Sequence, residues 1–135
     1  MVRIKDIRLQ KYDYKSDGYY FVTVVCNQRN NYFEKTEIIS DLLTDTVNKI
    51  QGACLDYYVI MPNHVHFILI LQNSNIGLGE IVRRFKAKVS HSYGLNVWQP
   101  NYYEHIIRSE NALNKIREYI QNNPQDLLLE FDRFY

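Results

Sequence analysis

The sequence has few of the residues that build common zinc and disulfide sites. It contains only two cysteines, Cys26 and Cys54, and neither has a second cysteine near it in the chain. The paired-cysteine spacing of zinc-binding modules is therefore absent. Each cysteine lies in an apolar, strand-like stretch, and we expect both to be reduced thiols in the core of a cytoplasmic protein.

Long apolar runs and an excess of one charge are also missing. The longest apolar run, residues 67–71, is too short to span a membrane, and the charged residues of MVRIKDIRLQ are unlike a secretion signal. The formal net charge is +1, which argues against coating duplex DNA through bulk charge but leaves a local basic patch open. With 135 residues, 46% of them hydrophobic and 23% charged, the chain is typical of a single globular domain over residues 1–135.

What the sequence does contain is a regular alternation of strand and helix patterns. Dense β-branched and aromatic residues predict strands at 19–27, 54–61, 64–72 and 102–108. Apolar residues at helical spacing predict helices from 36 to near Gly52, at about 78–93, and from 109 to about 122, before Pro124. The order of these elements predicts an α+β fold, a ferredoxin-like antiparallel sheet with helices packed on it.

Two histidines follow the Pro62-Asn63 turn at the start of the third predicted strand. His64 and His66 flank Val65, and residues two apart in a strand point to the same face of the sheet. Two neighbouring imidazoles form half of a metal site. Ordinary strand histidines with hydrogen-bond partners are the alternative interpretation.

A basic run marks the second predicted helix. It contains Arg83, Arg84, Lys86 and Lys88, against one nearby acid, Glu80. Such a run is usually a solvated helix face, but in a nearly neutral protein it also fits a DNA phosphate-binding edge. Three aromatic residues beyond this helix either stack on bases or pack in the core: Trp98, Tyr102 and Tyr103.

Four motifs together resemble a known family, the Y1 transposases of the IS200/IS605 type, and among them most closely the REP-associated tyrosine transposases. They are GYYFVTVV, YVIMPNHVHFILIL, VWQPNYYEHIIR and EYIQNNP, in family order over most of the chain. MPNHVH followed by EYIxxNP is the specific combination. The resemblance implies an HUH endonuclease fold and a single-stranded DNA endonuclease and strand transferase, acting on hairpin-bearing DNA in transposition.

The resemblance also assigns roles to residues. The HUH histidines, His64 and His66 here, hold a divalent cation that polarises the scissile phosphate. The family and phosphoryl chemistry imply Mg²⁺ or Mn²⁺, although imidazole ligands alone favour later metals such as zinc. Tyr119 matches the nucleophile that forms a covalent 5′-phosphotyrosine.

Three further residues have two interpretations each. Asn123, one turn beyond Tyr119, matches a glutamine that is the third metal ligand in dimeric relatives, and it equally fits a helix cap before Pro124. Glu104 and His105 match positions where the family has an acidic residue and a histidine. They either support the metal ligands or make structural hydrogen bonds, and alternation along a strand lets only one of them face the site.

Two rival functions and the assembly remain open at this stage. A non-catalytic nucleic-acid-binding module would share the fold, and a zinc hydrolase would need more ligands than the pattern shows. The resemblance to the REP-associated branch implies a monomer with Tyr119 acting in cis. A strand as apolar as residues 67–71 is then expected to be central or covered.

Overall fold

The computed structural model describes residues 17–127. It contains all the predicted elements, and their bounds follow in chain order: β1 (Gly18–Val25), a 3₁₀ turn (Asn27–Arg29), α1 (Thr36–Asn48), β2 (Ala53–Met61), β3 (His64–Leu71), α2 (Leu78–Tyr93), β4 (Tyr103–Ile107) and α3 (Glu110–Asn122). The first strand is shorter than predicted, since Cys26 forms only an isolated bridge with Trp98. Helix α1 is also shorter, because the chain turns between its end and Gly52, whose φ is +85°. None of the helices within residues 17–127 has the length and apolarity to cross a membrane.

The four strands form one sheet in the order β2-β3-β1-β4, with every neighbouring pair antiparallel. This order and the helices packed on the sheet confirm the predicted ferredoxin-like α+β architecture. Strand β3 lies between β2 and β1, so its backbone hydrogen-bonding groups are paired on both sides. The expectation that this apolar strand is internal is therefore confirmed.

Side chains of β1 and β3 alternate between two separate apolar clusters, one on each face of the sheet. One face packs against α1 and α2 and includes Tyr20, Val22, Val65 and Phe67. The other face packs against α3 and includes Phe21, Ile68, Ile70, Leu113 and Ile120. Because strand side chains alternate, His64 and His66 share the α3 face with Ile68 and Ile70.

The burial of the three aromatic residues beyond α2 shows whether they are free to stack on bases. Trp98 is 1% exposed, packs against Phe33 and Phe85, and donates its Nε1 proton to the Lys86 carbonyl. It is a core residue, so the suggestion that it stacks on bases is wrong. Tyr102 and Tyr103 are partly buried, each packed against one of the two clusters.

The two cysteines have different environments. Cys26 is buried, as expected, and burial raises the pKa of its thiol to about 12, with a smaller opposing effect from the Tyr32 backbone. Cys54 is exposed, so the prediction that both thiols lie in the core is wrong for Cys54. Its strand, β2, is at the edge of the sheet, where Cys54 lies opposite Ile70 on the α3 face.

Candidate active site

The centre of the candidate site is the pair of histidines at the start of β3. The two imidazole ring centroids lie 4.7 Å apart, at an interplanar angle of 74°. His64 is 5% exposed and His66 is fully buried, and the ring of His66 stacks on Phe21 at 5.7 Å. The prediction that both imidazoles project side by side from one strand is therefore confirmed.

Each histidine is held through its Nδ1 atom. Nδ1 of His64 lies 2.5 Å from the Asn63 side-chain oxygen, and the Asn63 amide nitrogen donates to the Arg29 carbonyl at 3.1 Å. Because an amide oxygen only accepts, the proton of His64 resides on Nδ1. Nδ1 of His66 lies 2.7 Å from the Thr23 hydroxyl on the neighbouring strand.

The two Nε2 atoms are the unusual feature of the site. Both are buried, and neither has a hydrogen-bond partner within residues 17–127. Buried polar atoms are nearly always paired, so two such atoms on adjacent rings call for an explanation. Holding Nδ1 by a second group while leaving Nε2 bare is the usual arrangement for a metal-binding histidine.

Burial keeps both imidazoles neutral. It lowers the pKa of His64 to about 4, with a further contribution from Arg29. Burial likewise lowers the pKa of His66 to about 3, and the neighbouring His64 adds to this while the Pro124 backbone opposes it. Neutral imidazole is the form that binds metals.

Helix α3 covers the face on which the histidines lie. Tyr119 is partly buried against the same apolar cluster as Ile68 and Ile120. Phe21, on which the His66 ring stacks, belongs to this same cluster. The fold therefore brings the candidate nucleophile's helix and both histidines to one face.

Asn123 is the C-cap of α3. Its backbone N–H donates to the Tyr119 carbonyl at 2.9 Å, and its φ of −141° lies outside the helical range. The capping interpretation is thus confirmed, while the exposed side chain has no partner that identifies it as a ligand. Within residues 17–127, no group of three or more His, Cys, Asp and Glu side chains is placed to hold a metal ion.

Strand β4 resolves which of Glu104 and His105 faces the site. His105 pairs with Phe21, whose ring stacks on His66, so His105 shares the histidine face. Glu104 pairs with Val22, which belongs to the cluster on the opposite face. A supporting role for Glu104 beside the histidines is therefore wrong, because its strand position directs it away from them.

The basic residues of α2 lie on the far side of the sheet from the histidines, and each makes an internal contact. Arg83 and Arg84 both bind Glu80, at 2.7 and 2.8 Å, and lower its pKa to about 2. Lys88 shares the Asp45 carboxylate with Lys49. Lys86 donates to the carbonyls of Gln99 and Asn101. Arg83 and Arg84 share the single carboxylate of Glu80, and Lys88 and Lys49 share that of Asp45. Each of these two groups therefore keeps a net positive charge.

Sequence reasoning missed Thr23 as part of the site and took Asn63 only as a turn residue. A signal for Thr23 exists, because it is the lone polar residue in the apolar stretch GYYFVTVV. Its pairing with His66 depends on the register between β1 and β3, in which Thr23 lies directly opposite His66. That register links residues 43 positions apart, and the local pattern does not specify it.

Comparisons with known proteins agree with the architecture and the motifs. The family model described as "Transposase IS200 like" matches residues 14–123. An uncharacterized protein from Haemophilus influenzae is 34% identical, over 97% of this chain and 92% of that protein. The REP-associated tyrosine transposase of Escherichia coli K12 is 28% identical, over 82% of this chain and 68% of that protein.

A solved structure has the same fold. It is a REP-associated tyrosine transposase bound to a REP hairpin, with a TM-score of 0.74 and 24% identity over 89% of this chain and 74% of that one. The family match covers most of the chain, including both histidines and Tyr119. The chain therefore belongs to the family of IS200-like transposases.

Proposed function

We propose that this protein is a metal-dependent endonuclease and strand transferase for single-stranded DNA, with Tyr119 forming a covalent 5′-phosphotyrosine. The observation that carries the proposal is the pair of bare, buried Nε2 atoms on the face covered by the helix of Tyr119. Adjacent neutral imidazoles with fixed Nδ1 atoms fit a divalent cation.

His64 and His66 would hold the cation, and Asn123 is the proposed third ligand. Nitrogen and amide-oxygen donors fit several divalent metals, and phosphoryl transfer favours Mg²⁺ or Mn²⁺. When bound, such an ion polarises a phosphate and offsets the charge of the transition state. Asn63 and Thr23 orient the two rings, and Phe21 shields His66 from water.

Tyr119 would attack the scissile phosphorus through its hydroxyl oxygen. The Tyr119 Oη–P bond forms while the P–O3′ bond breaks. The phenolic proton passes to solvent, and the departing 3′ oxygen takes a proton to become a free hydroxyl. The phosphodiester energy is kept in the tyrosyl ester, so attack by another 3′-hydroxyl rejoins the strand and releases Tyr119.

The proposed substrate is single-stranded DNA carrying a hairpin. A hairpin is what the solved relative of the same fold binds, and we extend that ligand to this chain. The α2 residues Arg83, Arg84, Lys86 and Lys88 are the proposed phosphate contacts, because Arg83 and Arg84 are exposed and their turn keeps a net positive charge. Their position across the sheet from the histidines would separate the DNA-holding surface from the cleavage site.

The nucleophile is tested with Tyr119→Phe, which removes one hydroxyl from a partly buried side chain. The fold and DNA affinity should be retained, while the covalent protein–DNA adduct should disappear. The assay incubates the protein with hairpin-bearing single-stranded DNA and Mn²⁺ and resolves the adduct on a denaturing gel. Tyr58→Phe is a matched control, since Tyr58 lies on the α1 side of the sheet, where its hydroxyl bonds Ser40.

Cleavage by Tyr119→Phe at the wild-type rate would transfer the assignment to Tyr103, which packs on the same face as the histidines, and not to Tyr102, which packs on the opposite face. Binding of the DNA by the wild-type protein without any adduct would favour the alternative, a non-catalytic nucleic-acid-binding module.

The metal is tested by adding a chelator or by His64→Ala. Either change should abolish the adduct and weaken DNA binding much less. Cleavage by metal-free protein would make the histidines structural.

A further inference from the structure

The apolar contacts of α3 leave its rotation about its own axis poorly defined. The helix buries Leu113 and Ile120, and Ala112, Ile116 and Tyr119 are partly buried, against the cluster that includes Ile68 and Ile70 of β3. Apolar burial is non-directional, so these contacts hold α3 against the sheet without fixing its rotation to one angle. A directional contact is needed to hold Tyr119 at one orientation.

One ion pair provides a directional contact between α3 and the sheet. The guanidinium of Arg117 donates to both carboxylate oxygens of Asp56, at 2.6 and 2.8 Å. The same guanidinium lies 5.2 Å from the centroid of the Tyr57 ring. The Asp56 side chain is only 13% exposed, and a bidentate guanidinium–carboxylate pair fixes angle as well as distance.

A β-bulge in β2 makes this arrangement possible. Leu55 pairs with Leu69 and Tyr58 pairs with Phe67, so two residues of β2 lie opposite the single residue Ile68 of β3. Leu55 and Tyr58 both face the α1 side, where the Tyr58 hydroxyl meets Ser40. Asp56 and Tyr57 therefore both face α3, which consecutive residues of a regular strand would not do.

Because Arg117 and Tyr119 lie on the same helix, the contact made by Arg117 also affects the position of the candidate nucleophile. Residues 117 and 119 are two apart, or about 200° around the helix axis. Arg117 and Tyr119 thus lie on opposite flanks of the apolar stripe, so a roll that releases one moves the other.

We propose that Asp56, Tyr57 and Arg117, which we call the α3 clamp, are positioning residues that set the rotation of α3 and so hold Tyr119 towards His64 and His66 of its own chain. This inference rests on the proposed function of Tyr119. The clamp does not touch the reacting groups and acts through the orientation of the helix.

The test removes the carboxylate charge with Asp56→Asn. The single-turnover rate of adduct formation should fall about tenfold or more, as expected when a reacting group is misplaced. The affinity for hairpin DNA and for Mn²⁺ should stay within about twofold, since neither the histidines nor α2 is altered. Amide hydrogen exchange of α3 should become faster in the DNA-free protein, an outcome that needs no activity. Ser40→Ala is the control, because it removes a β2-to-helix hydrogen bond on the other face, and it should leave the rate unchanged.

Arg117→Gln removes the other partner of the ion pair and should lower the rate of adduct formation in the same way as Asp56→Asn. The double variant Asp56→Asn/Arg117→Gln should lose no more rate than the worse single variant, because the two residues act as one unit. Wild-type rates in both single variants, with Tyr119→Phe inactive, would overturn the clamp and leave the proposed function intact. Equal losses of rate, DNA affinity and Mn²⁺ affinity would also overturn it, since they indicate general damage. Full activity of Tyr119→Phe would instead overturn the proposed function.

Discussion

At the scale of single residues, the site depends on partners that hold the histidines as much as on the histidines themselves. His-x-His on a strand is visible in the sequence, and its geometry follows from strand alternation. The hydroxyl of Thr23 and the amide of Asn63 decide which nitrogen of each ring is left bare. These contacts depend on strand register and turn geometry, and for that reason the sequence did not reveal them.

Thr23→Val tests this role by replacing the hydroxyl with a methyl group of similar size. The His66 ring then loses the partner of its Nδ1, and we expect Mn²⁺ affinity to fall about 10- to 100-fold. Isothermal titration with Mn²⁺ measures the change. Thr46→Val is the control, because Thr46 is also buried but bonds the Leu42 carbonyl within α1. Equal Mn²⁺ affinity in Thr23→Val and wild type would make the Thr23 contact irrelevant to metal binding.

The buried histidines also predict how the stability of the metal-free protein depends on pH. Burial lowers the pKa of His64 to about 4 and that of His66 to about 3, whereas in the unfolded chain both titrate near 6.5. As the pH falls below about 6.5, the unfolded chain takes up protons that the folded chain does not. The free energy of unfolding should therefore fall by up to about 1.4 kcal/mol per pH unit for each histidine, levelling off near pH 4 to 3.

Urea unfolding in the presence of chelator at pH 7, 6 and 5 measures this dependence. The comparison is with the double variant His64→Gln/His66→Gln, in which carboxylate titration is retained and the histidine contribution is removed. The wild type should lose stability more steeply below pH 6.5. Parallel curves would show that the two rings do not stay neutral in the folded protein.

At the scale of elements, the positions of strands and helices could be predicted well, while their irregularities could not. The spacing of apolar residues correctly predicted the strands and helices, because this spacing reflects which faces of each element are buried. The bulge at Asp56 and Tyr57 leaves no such pattern, since it is stabilised by a residue 61 positions away, Arg117. The turn after α1 is another case, because Gly52 there lies against the backbone of Gln72 and Ser74, which are distant in the sequence.

Two glycines with positive φ give matched tests of such junctions. A Cβ on Gly52, where φ is +85°, would lie 2.5 Å from the Gln72 carbonyl oxygen and 2.7 Å from the Ser74 backbone. Gly52→Ala should therefore lower the free energy of unfolding by about 3 kcal/mol or more. Gly94, with a φ of +72°, has open space around it, so Gly94→Ala should cost about 1 kcal/mol. Chemical denaturation measures both, and equal losses would show that contact with the loop after β3 is not what requires Gly52.

At the scale of the whole molecule, the fold supports an active site built within one chain. Strand β3 is internal, so the strand that carries the histidines has no free edge for pairing with another copy. Helix α3 packs over its own sheet and is joined to β2 by Arg117 and Asp56. We propose on these grounds that the protein acts as a monomer, with Tyr119 serving the histidines of the same chain.

Mixing two inactive variants tests the monomer. Tyr119→Phe retains the histidines and His64→Ala retains the tyrosine, so a site shared between subunits would be restored in a mixed dimer. We expect no recovery of adduct, together with a monomer mass by light scattering. Recovered cleavage on mixing would show that the site is shared.

The strict alternation of side chains along β3 has a consequence for how this chain tolerates change. Odd-numbered positions from Val65 to Leu71 belong to the core beneath α1 and α2, and even-numbered positions from His64 to Ile70 belong to the face beneath α3. Substitutions on one side leave the other side's packing largely unaltered, so the two faces are free to diverge separately. Inserting or deleting one residue within the strand is different, because it would exchange the faces and turn the imidazoles into the core. We therefore expect this strand to tolerate substitutions better than changes of length, and length changes to occur in the loops.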